Sequence, residues 1–196
     1  KIGIHFALNA VLNENKQPVA VFFGRPRDVM QKGILVVRNI SAVPMMGEYD
    51  LVIASAGGYP KDINFYQAQK AISHACLFAK KGGRVILVAE CCEGSGSRGF
   101  ENFIRGLKST EEIFRKFSQT GFVVGPHKAV QLARQLETHK VMLYSSMDAD
   151  IVRGWLVTPV VSVEDEVHKA LAESANSARI AILPYATGVF PLADEE

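Results

Sequence analysis

The sequence predicts an α/β fold with a mainly parallel sheet, helices packed on it and an N-terminal β-hairpin. From residue 50 onward, short apolar runs alternate with helical patterns, which is typical of a parallel sheet covered by helices. The runs 51–54 and 85–89 are continuously apolar, as in strands buried on both faces. Before them, residues 2–12 and 19–23 flank the polar turn 13–16, so we predict that these two strands pair as the hairpin.

The remaining elements follow in chain order. A helix is predicted after Gly24, ending near Arg38, and another spans 63–80, with Gly82-Gly83 as its stop signal. Further helices are predicted at 100–119, 126–138 and 164–174, the last capped by Ser162, and further strands at 141–144 and 180–183. Without repeats or an obvious linker, residues 1–196 are predicted to form one compact α/β domain.

Composition excludes several functional classes. A net charge of +2 lacks the concentrated basic stripe of a nucleic-acid-binding domain. No apolar stretch approaches the roughly 20 residues that cross a bilayer. The three cysteines, two of them adjacent, do not suggest a disulfide framework, so we expect a cytoplasmic protein.

The helix predicted at 63–80 has two distinct faces. One is an apolar stripe of small residues that would pack on the sheet: Ala68, Ala71, Ile72, Ala75, Cys76 and Ala79. The opposite side carries Tyr66, Gln67, Lys70 and His74, and Gln67 neighbours Lys70 at a spacing of three. On composition alone, such a polar side is most simply the solvated face of a surface helix.

The position of this helix favours an anionic small ligand. Its first turn follows a buried strand, where open α/β sheets place their ligands. A helix N-terminus also offers N–H groups and partial positive charge. Lys70 and Gln67 supply a cation and an amide donor to the same space, while Asp62 or Asn64 could cap the helix.

Other motifs carry weaker signals. Residues 94–99 spell G-x-G-x-x-G after a strand, but four residues separate that strand from the glycines, and no acidic residue lies on a following strand. A flexible loop is the simpler interpretation. We interpret the pair Cys91-Cys92 as buried, inert thiols, because no Cys or His stands at zinc-ligand spacing. His127 opens a helix and could act as an acid or base, or could have no chemical role.

Four stretches resemble a known family. DLVIASAGGYPKDINFYQAQKA, KKGGRVILVAECCEGSG and GPHKA, together with the N-terminal FALNAVLNENKQPVAVFFG, are similar to the C-terminal domain of the nickel-dependent lactate racemase family. The resemblance implies an isomerase that inverts the α-carbon of lactate or a related 2-hydroxy acid. In that family, a nickel pincer cofactor built on a pyridinium mononucleotide takes a hydride from the substrate and returns it to either face.

By motif, the resemblance places Gln67 and Lys70 at the family's substrate-binding Gln and Lys, with Tyr66 lining the same cleft. It implies no catalytic residue and no metal ligand in this chain, because the family's cofactor-tethering lysine, nickel-ligating histidine and catalytic histidine pair belong to its N-terminal domain. Whether this chain also contacts the cofactor stays open. We therefore expect a C-terminal domain, inactive alone, that forms one wall of a cleft with an N-terminal domain of the same protein. The expected partners are that domain and a 2-hydroxy carboxylate, without nucleic acid or membrane.

Two segments depart from the family pattern. Lactate racemases tend to have an aromatic residue where this chain has His127, and His127-Lys128 suggests a larger or more polar substrate than lactate. The segment Arg25-Pro26-Arg27 is more basic than its family counterpart, and no functional role follows from it.

Two alternatives stay open at this point. One is a nucleotide-dependent oxidoreductase domain that uses the glycines at 94–99. The other is a binding module that holds an anionic metabolite without reacting it.

Overall fold

The structure, a computed structural model, describes residues 3–13, 15–174 and 177–192, which form two compact units. Unit 1 consists of Lys1–Pro44 and Pro191–Glu196, and unit 2 of Met45–Phe190. None of the helices within the described stretches combines the length and the apolarity needed to cross a membrane.

Unit 1 contains the predicted hairpin followed by a helix. Strands β1 (Ala7–Leu12) and β2 (Pro18–Gly24) pair antiparallel, and helix α1 (Pro26–Ser41) follows directly. The hairpin prediction is therefore confirmed, although Ile2 and Glu14 lie outside the described residues. Beyond the helix, strand β3 (Ala42–Pro44) pairs with the late strand β9 (Phe190–Leu192).

Unit 2 is built on a five-stranded parallel sheet. Its strands are β4 (Tyr49–Ser55), β5 (Ala79–Val88), β6 (Lys140–Tyr144), β7 (Thr158–Val160) and β8 (Ile180–Leu183). They lie in the order β7-β6-β5-β4-β8, and every neighbouring pair is parallel. The chain steps outward from β4 to β7 and then returns to the other side of β4, which confirms the predicted α/β class.

Helices connect these strands. They are α2 (Phe65–Ala75), α3 (Arg98–Ile104), α4 (Thr110–Thr120), α5 (Pro126–Leu136), α6 (Ala149–Arg153) and α7 (Val163–Glu173). The predicted helix 100–119 is thus two helices, separated at Gly106, whose φ is +80°. The predicted cap is confirmed at α7, where Ser162 Oγ accepts from Asp165 N at 3.1 Å.

Helix α2 ends earlier than predicted. It stops at Ala75, and β5 begins at Ala79, so Gly82-Gly83 lies inside a strand. The glycines occupy a bulge, where the register shifts from Tyr49↔Ala79 to Leu51↔Arg84. A Cβ on Gly83 would lie 2.8 Å from the Lys80 carbonyl oxygen, so this glycine permits close backbone packing rather than stopping a helix.

The core lies mainly on one face of the sheet. There the alanine stripe of α2 packs with its neighbours, and Ala68, Ala71 and Ala75 are fully buried. Phe65, Phe100 and Trp155 form an aromatic cluster in this layer, with ring centroids 4.8–5.9 Å apart. On the opposite face a smaller cluster includes Ala170 of α7. Because helices of a parallel sheet run opposite to the strands, α2 and α5 begin at the carboxyl edge of the sheet.

Candidate functional site: the α2–α5 groove

The site is built on the outward face of α2. Asn64 caps this helix, since its Oδ1 accepts from Gln67 N at 3.1 Å. The cap leaves the apolar stripe against the sheet and turns Tyr66, Gln67 and Lys70 outward, as the sequence predicts. Lys70 Nζ donates to Gln67 Oε1 at 2.7 Å, so the ammonium and the amide form one polar unit.

Helix α5 brings His127 to the same place. Its ring meets the Tyr66 ring edge-on, with centroids 6.2 Å apart, and packs near Phe122 on its other side at 5.5 Å. Gly125 N donates to His127 Nδ1 at 3.2 Å, which places the proton of the neutral ring on Nε2. The structure therefore brings the predicted residue His127 of α5 against Tyr66 of α2, and Lys70 against Gln67 along α2, while of these four residues only Lys70 lines the groove described below.

Lys128 also belongs to this cluster, although the sequence had indicated only that its polarity, next to His127, suggests a more polar substrate. It is only 7% exposed, and its Nζ lies 5.1 Å from the centre of the Tyr66 ring. Burial, followed by repulsion from Lys70, lowers the pKa of Lys128. The helical spacing could have indicated this position. Lys128 lies one turn before the buried Leu132, so both residues fall on the same face of α5.

A buried glutamine fixes the two helices to each other. Gln69 is 1% exposed, and its Nε2 donates to the Lys128 carbonyl oxygen at 2.9 Å. Further along, Gln135 Nε2 donates to Ser73 Oγ at 2.6 Å. The backbone that carries Lys128 is thus held from α2 itself.

Between the helices lies an open groove of about 400 Å³, here called the α2–α5 groove. Its lining residues are Lys70, Ser73, His74, Lys128, Gln131, Arg134 and Gln135. Three of them, Lys70, Lys128 and Arg134, have basic side chains, and none is a carboxylate. His74 Nδ1 lies 2.8 Å from the Val189 carbonyl oxygen, which occupies one ring nitrogen. The charge of this lining favours an anionic ligand.

The N-terminus of α2 does not have the anion-binding role that the sequence predicts. We expected the first N–H groups of α2 to be available to an anion, but other groups of the chain occupy them. Phe65 N donates to the Gly94 carbonyl oxygen and Tyr66 N to that of Ser95, each at 2.9 Å. Attraction of an anion to this site therefore comes from side-chain cations and not from the helix N-terminus.

The glycines at 94–99 have structural roles. Gly96 has a φ of +69°, and a Cβ there would overlap the Asn64 side chain that caps α2. A Cβ on Gly125 would lie 3.0 Å from Gly99 Cα, so these two glycines let the starts of α3 and α5 touch. These contacts give Gly96 and Gly99 of the G-x-G-x-x-G motif packing roles that do not require a bound dinucleotide.

This role predicts a specific loss of stability. Gly96→Ala should lower the free energy of unfolding by about 2–4 kcal/mol, because it adds both backbone strain and overlap with Asn64. Gly94→Ala is the matched control, since Gly94 has a φ of +66° but open space around it, and should cost only about 1–2 kcal/mol. Chemical denaturation of both variants checks the difference, and equal losses would contradict the contact with Asn64.

The cysteine prediction was half right. Cys91 is buried, and burial raises the pKa of its thiol to about 12, which makes it inert. Cys92, in contrast, is exposed, with its Sγ 3.6 Å from the Ile63 carbonyl oxygen. Across residues 3–13, 15–174 and 177–192, no group of three or more His, Cys, Asp or Glu side chains could hold a metal ion.

Fold and site together define an α/β domain with a cationic, amide-lined groove between two helices on one face of its parallel sheet. The chain belongs to the family described as the lactate racemase C-terminal domain, whose model matches residues 45–190. It is 30% identical over 188 residues to a lactate racemase of Thermoanaerobacterium thermosaccharolyticum and 29% identical to one of Lactiplantibacillus plantarum. Each alignment covers 94% of this chain but only 44% of the relative.

Solved structures agree with this assignment. The lactate racemase apoprotein of T. thermosaccharolyticum superposes with a TM-score of 0.86 at 29% identity, over 96% of this chain and 46% of that one. A Thermotoga maritima protein shares the fold alone, with a TM-score of 0.58 at 13% identity, over 92% of this chain and 47% of that one.

Proposed function

We propose that this chain is the substrate-binding portion of a 2-hydroxy acid racemase or epimerase, which inverts the α-carbon of lactate or a related 2-hydroxy acid. Membership of the lactate racemase C-terminal domain family supports this reaction class. The observation that carries the proposal is the contact between Lys70 Nζ and Gln67 Oε1, beside Tyr66 and His127. This contact supports the proposal, because a cation and polar groups held together suit the binding of a small carboxylate.

Each side chain has a distinct role in this proposal. The Lys70 ammonium offsets the negative charge of the substrate carboxylate, and one bond to Gln67 leaves it two further donors. Gln67 retains its amide N–H groups to orient the carboxylate. Tyr66 and the His127 ring line the cleft, and His127 Nε2–H can donate to a substrate oxygen.

The proposal divides the reaction between this chain and the rest of the protein. The chain spans 44% of the length of the curated relatives it matches. We infer that the full protein has an N-terminal domain that carries the catalytic groups, and that the isolated chain is inactive. The described residues do not fit the nickel of the cofactor that the resemblance implies, because they offer no cluster of metal ligands. The contribution assigned to this chain is therefore substrate binding.

Lys128 narrows the substrate class. The Lys128 side chain is 7% exposed, and an anion or a strong acceptor in the groove would stabilise its ammonium against burial and repulsion from Lys70. Arg134 lies further along the same α2–α5 groove. We therefore propose a 2-hydroxy acid with a second anionic or strongly polar group, whose first carboxylate binds Lys70 and whose second group binds Lys128.

A substrate panel tests the function and the substrate class together. Full-length, cofactor-loaded protein is given D-2-hydroxy acids with one or two carboxylates, and chiral chromatography follows formation of the L isomer. We expect racemisation, with kcat/KM about tenfold or more higher for the two-carboxylate acids, because a charge-assisted hydrogen bond is worth about 1.5–3 kcal/mol. Lys128→Met should abolish that preference while leaving the one-carboxylate acids largely unaffected.

The possible failures of this test are distinguishable. Racemisation without any preference would retain the reaction and remove Lys128 from substrate selection. Binding of hydroxy acids without racemisation of any would instead favour a non-catalytic binding module.

A further inference from the structure

The hairpin of unit 1 has an apolar face that the described chain leaves uncovered. Side chains alternate across a strand, and the pairs Leu8↔Phe23 and Ala10↔Val21 fix which residues share one face. This hairpin face consists of Phe6, Leu8, Ala10, Leu12, Val19, Val21 and Phe23. Its six large residues are 50–73% exposed, and no member is polar.

The opposite face of the hairpin is covered. Val11 points to that side and is buried, as is Val29 of α1, and helix α1 packs there. On the hairpin face, the rings of Phe6 and Phe23 stack on each other, with centroids 5.6 Å apart. Helix α1 adds a second uncovered stripe at helical spacing, with Met30, Ile34 and Val37 all exposed.

Such a surface is not that of a free-standing unit. A two-stranded hairpin is marginal in water unless an apolar face is packed against something. Contiguous apolar patches of this kind mark contact surfaces in monomeric proteins. An antiparallel sheet with one free side normally presents polar residues there. The hairpin face therefore needs a partner surface.

The comparisons with known proteins indicate which part of the protein could supply the partner surface for the hairpin face. The C-terminal domain family matches residues 45–190, so the hairpin and α1 precede the matched domain. The lactate racemases align with this segment as well, yet more than half of their length lies outside the alignment. Since the matched domain is the C-terminal one, that remaining length precedes it.

We propose that the hairpin face packs against the N-terminal region of the full-length protein and completes the apolar core of that region. Unit 1 would then fold as part of the N-terminal region, and the boundary of the C-terminal domain would fall near Met45. This proposal concerns an interdomain surface and does not depend on the substrate assigned to the α2–α5 groove.

Thiol accessibility in the full-length protein tests the proposal. Val21→Cys places a thiol in the middle of the hairpin face, and Ser118→Cys places one on exposed α4 of unit 2. Each variant is treated with a maleimide, and labelling of the relevant peptide is followed by mass spectrometry. We expect Val21→Cys to react at least tenfold more slowly than Ser118→Cys, and unfolding in denaturant to remove the difference.

Each other outcome would overturn the proposal. Equal rates in the folded full-length protein would show that the face is uncovered. Protection that disappears on dilution would show that a second copy covers it. Equal protection in the 196-residue chain alone would show that the chain covers the face itself. As a second measurement, Val21→Lys in the full-length protein should lower its melting temperature while Ser118→Lys leaves it unchanged.

Discussion

Lys70→Ala is expected to weaken binding of a 2-hydroxy carboxylate about 10- to 100-fold, because a hydrogen bond to a charged group contributes about 1.5–3 kcal/mol. The side chain is exposed on the outer face of α2, so its removal should leave the fold intact. Calorimetric titration of the full-length protein with a hydroxy acid measures the dissociation constant. In a racemisation assay the loss should appear mainly in KM, since the carboxylate does not change charge during the reaction.

Two variants serve as controls for Lys70. Lys81→Ala removes an exposed cation from β5, away from the α2–α5 groove, and should leave affinity unchanged. Lys70→Arg keeps the charge but alters the donor geometry, and should retain part of the affinity. An unchanged dissociation constant for Lys70→Ala would remove this residue from the site.

Trp155→Ala is expected to be the most destabilising single change discussed, at about 3–5 kcal/mol. Trp155 is 3% exposed, and its ring lies 4.8 Å from that of Phe65 and 5.4 Å from that of Phe100, measured between centroids. The melting temperature of unit 2 should fall on the order of 10 °C. Since Phe65 is the first residue of α2, the same change should also loosen the start of the helix that carries Gln67 and Lys70.

Trp155→Phe separates loss of volume from loss of aromatic character. It keeps an apolar ring in the cluster and should cost less than half as much as the alanine variant. Thermal denaturation followed by near-UV circular dichroism reports both. A loss below about 1 kcal/mol for Trp155→Ala would contradict a tightly packed cluster, because such a small value is typical of surface positions.

Local patterns predicted most of the fold. The apolar runs located the strands, and the alanine stripe of α2 identified its sheet-facing side, because burial and periodicity are both legible along the chain. The end of α2 was predicted wrongly for a non-local reason. Pairing of Tyr49 with Ala79 begins a strand where the glycines alone suggested a helix stop.

In the candidate site, too, local features could be predicted and non-local ones could not. Tyr66, Gln67 and Lys70 could be predicted together because they share one helix. His127 was predicted separately, and only the structure shows that it lies beside Tyr66. The sequence could not show that the first N–H groups of α2 are already bonded, since the loop that accepts from them lies some 30 residues further along the chain. Only three-dimensional packing shows that Lys128 is buried and that its backbone is held by Gln69.

The contact between Lys70 and Gln67 has a consequence for how tightly a ligand is bound. A free lysine side chain samples many rotamers, and arresting it costs up to about 2 kcal/mol of entropy. In this protein the 2.7 Å bond to Gln67 arrests the ammonium before any ligand arrives. That entropic cost is therefore met during folding, and the incoming carboxylate finds its counter-ion already preorganised.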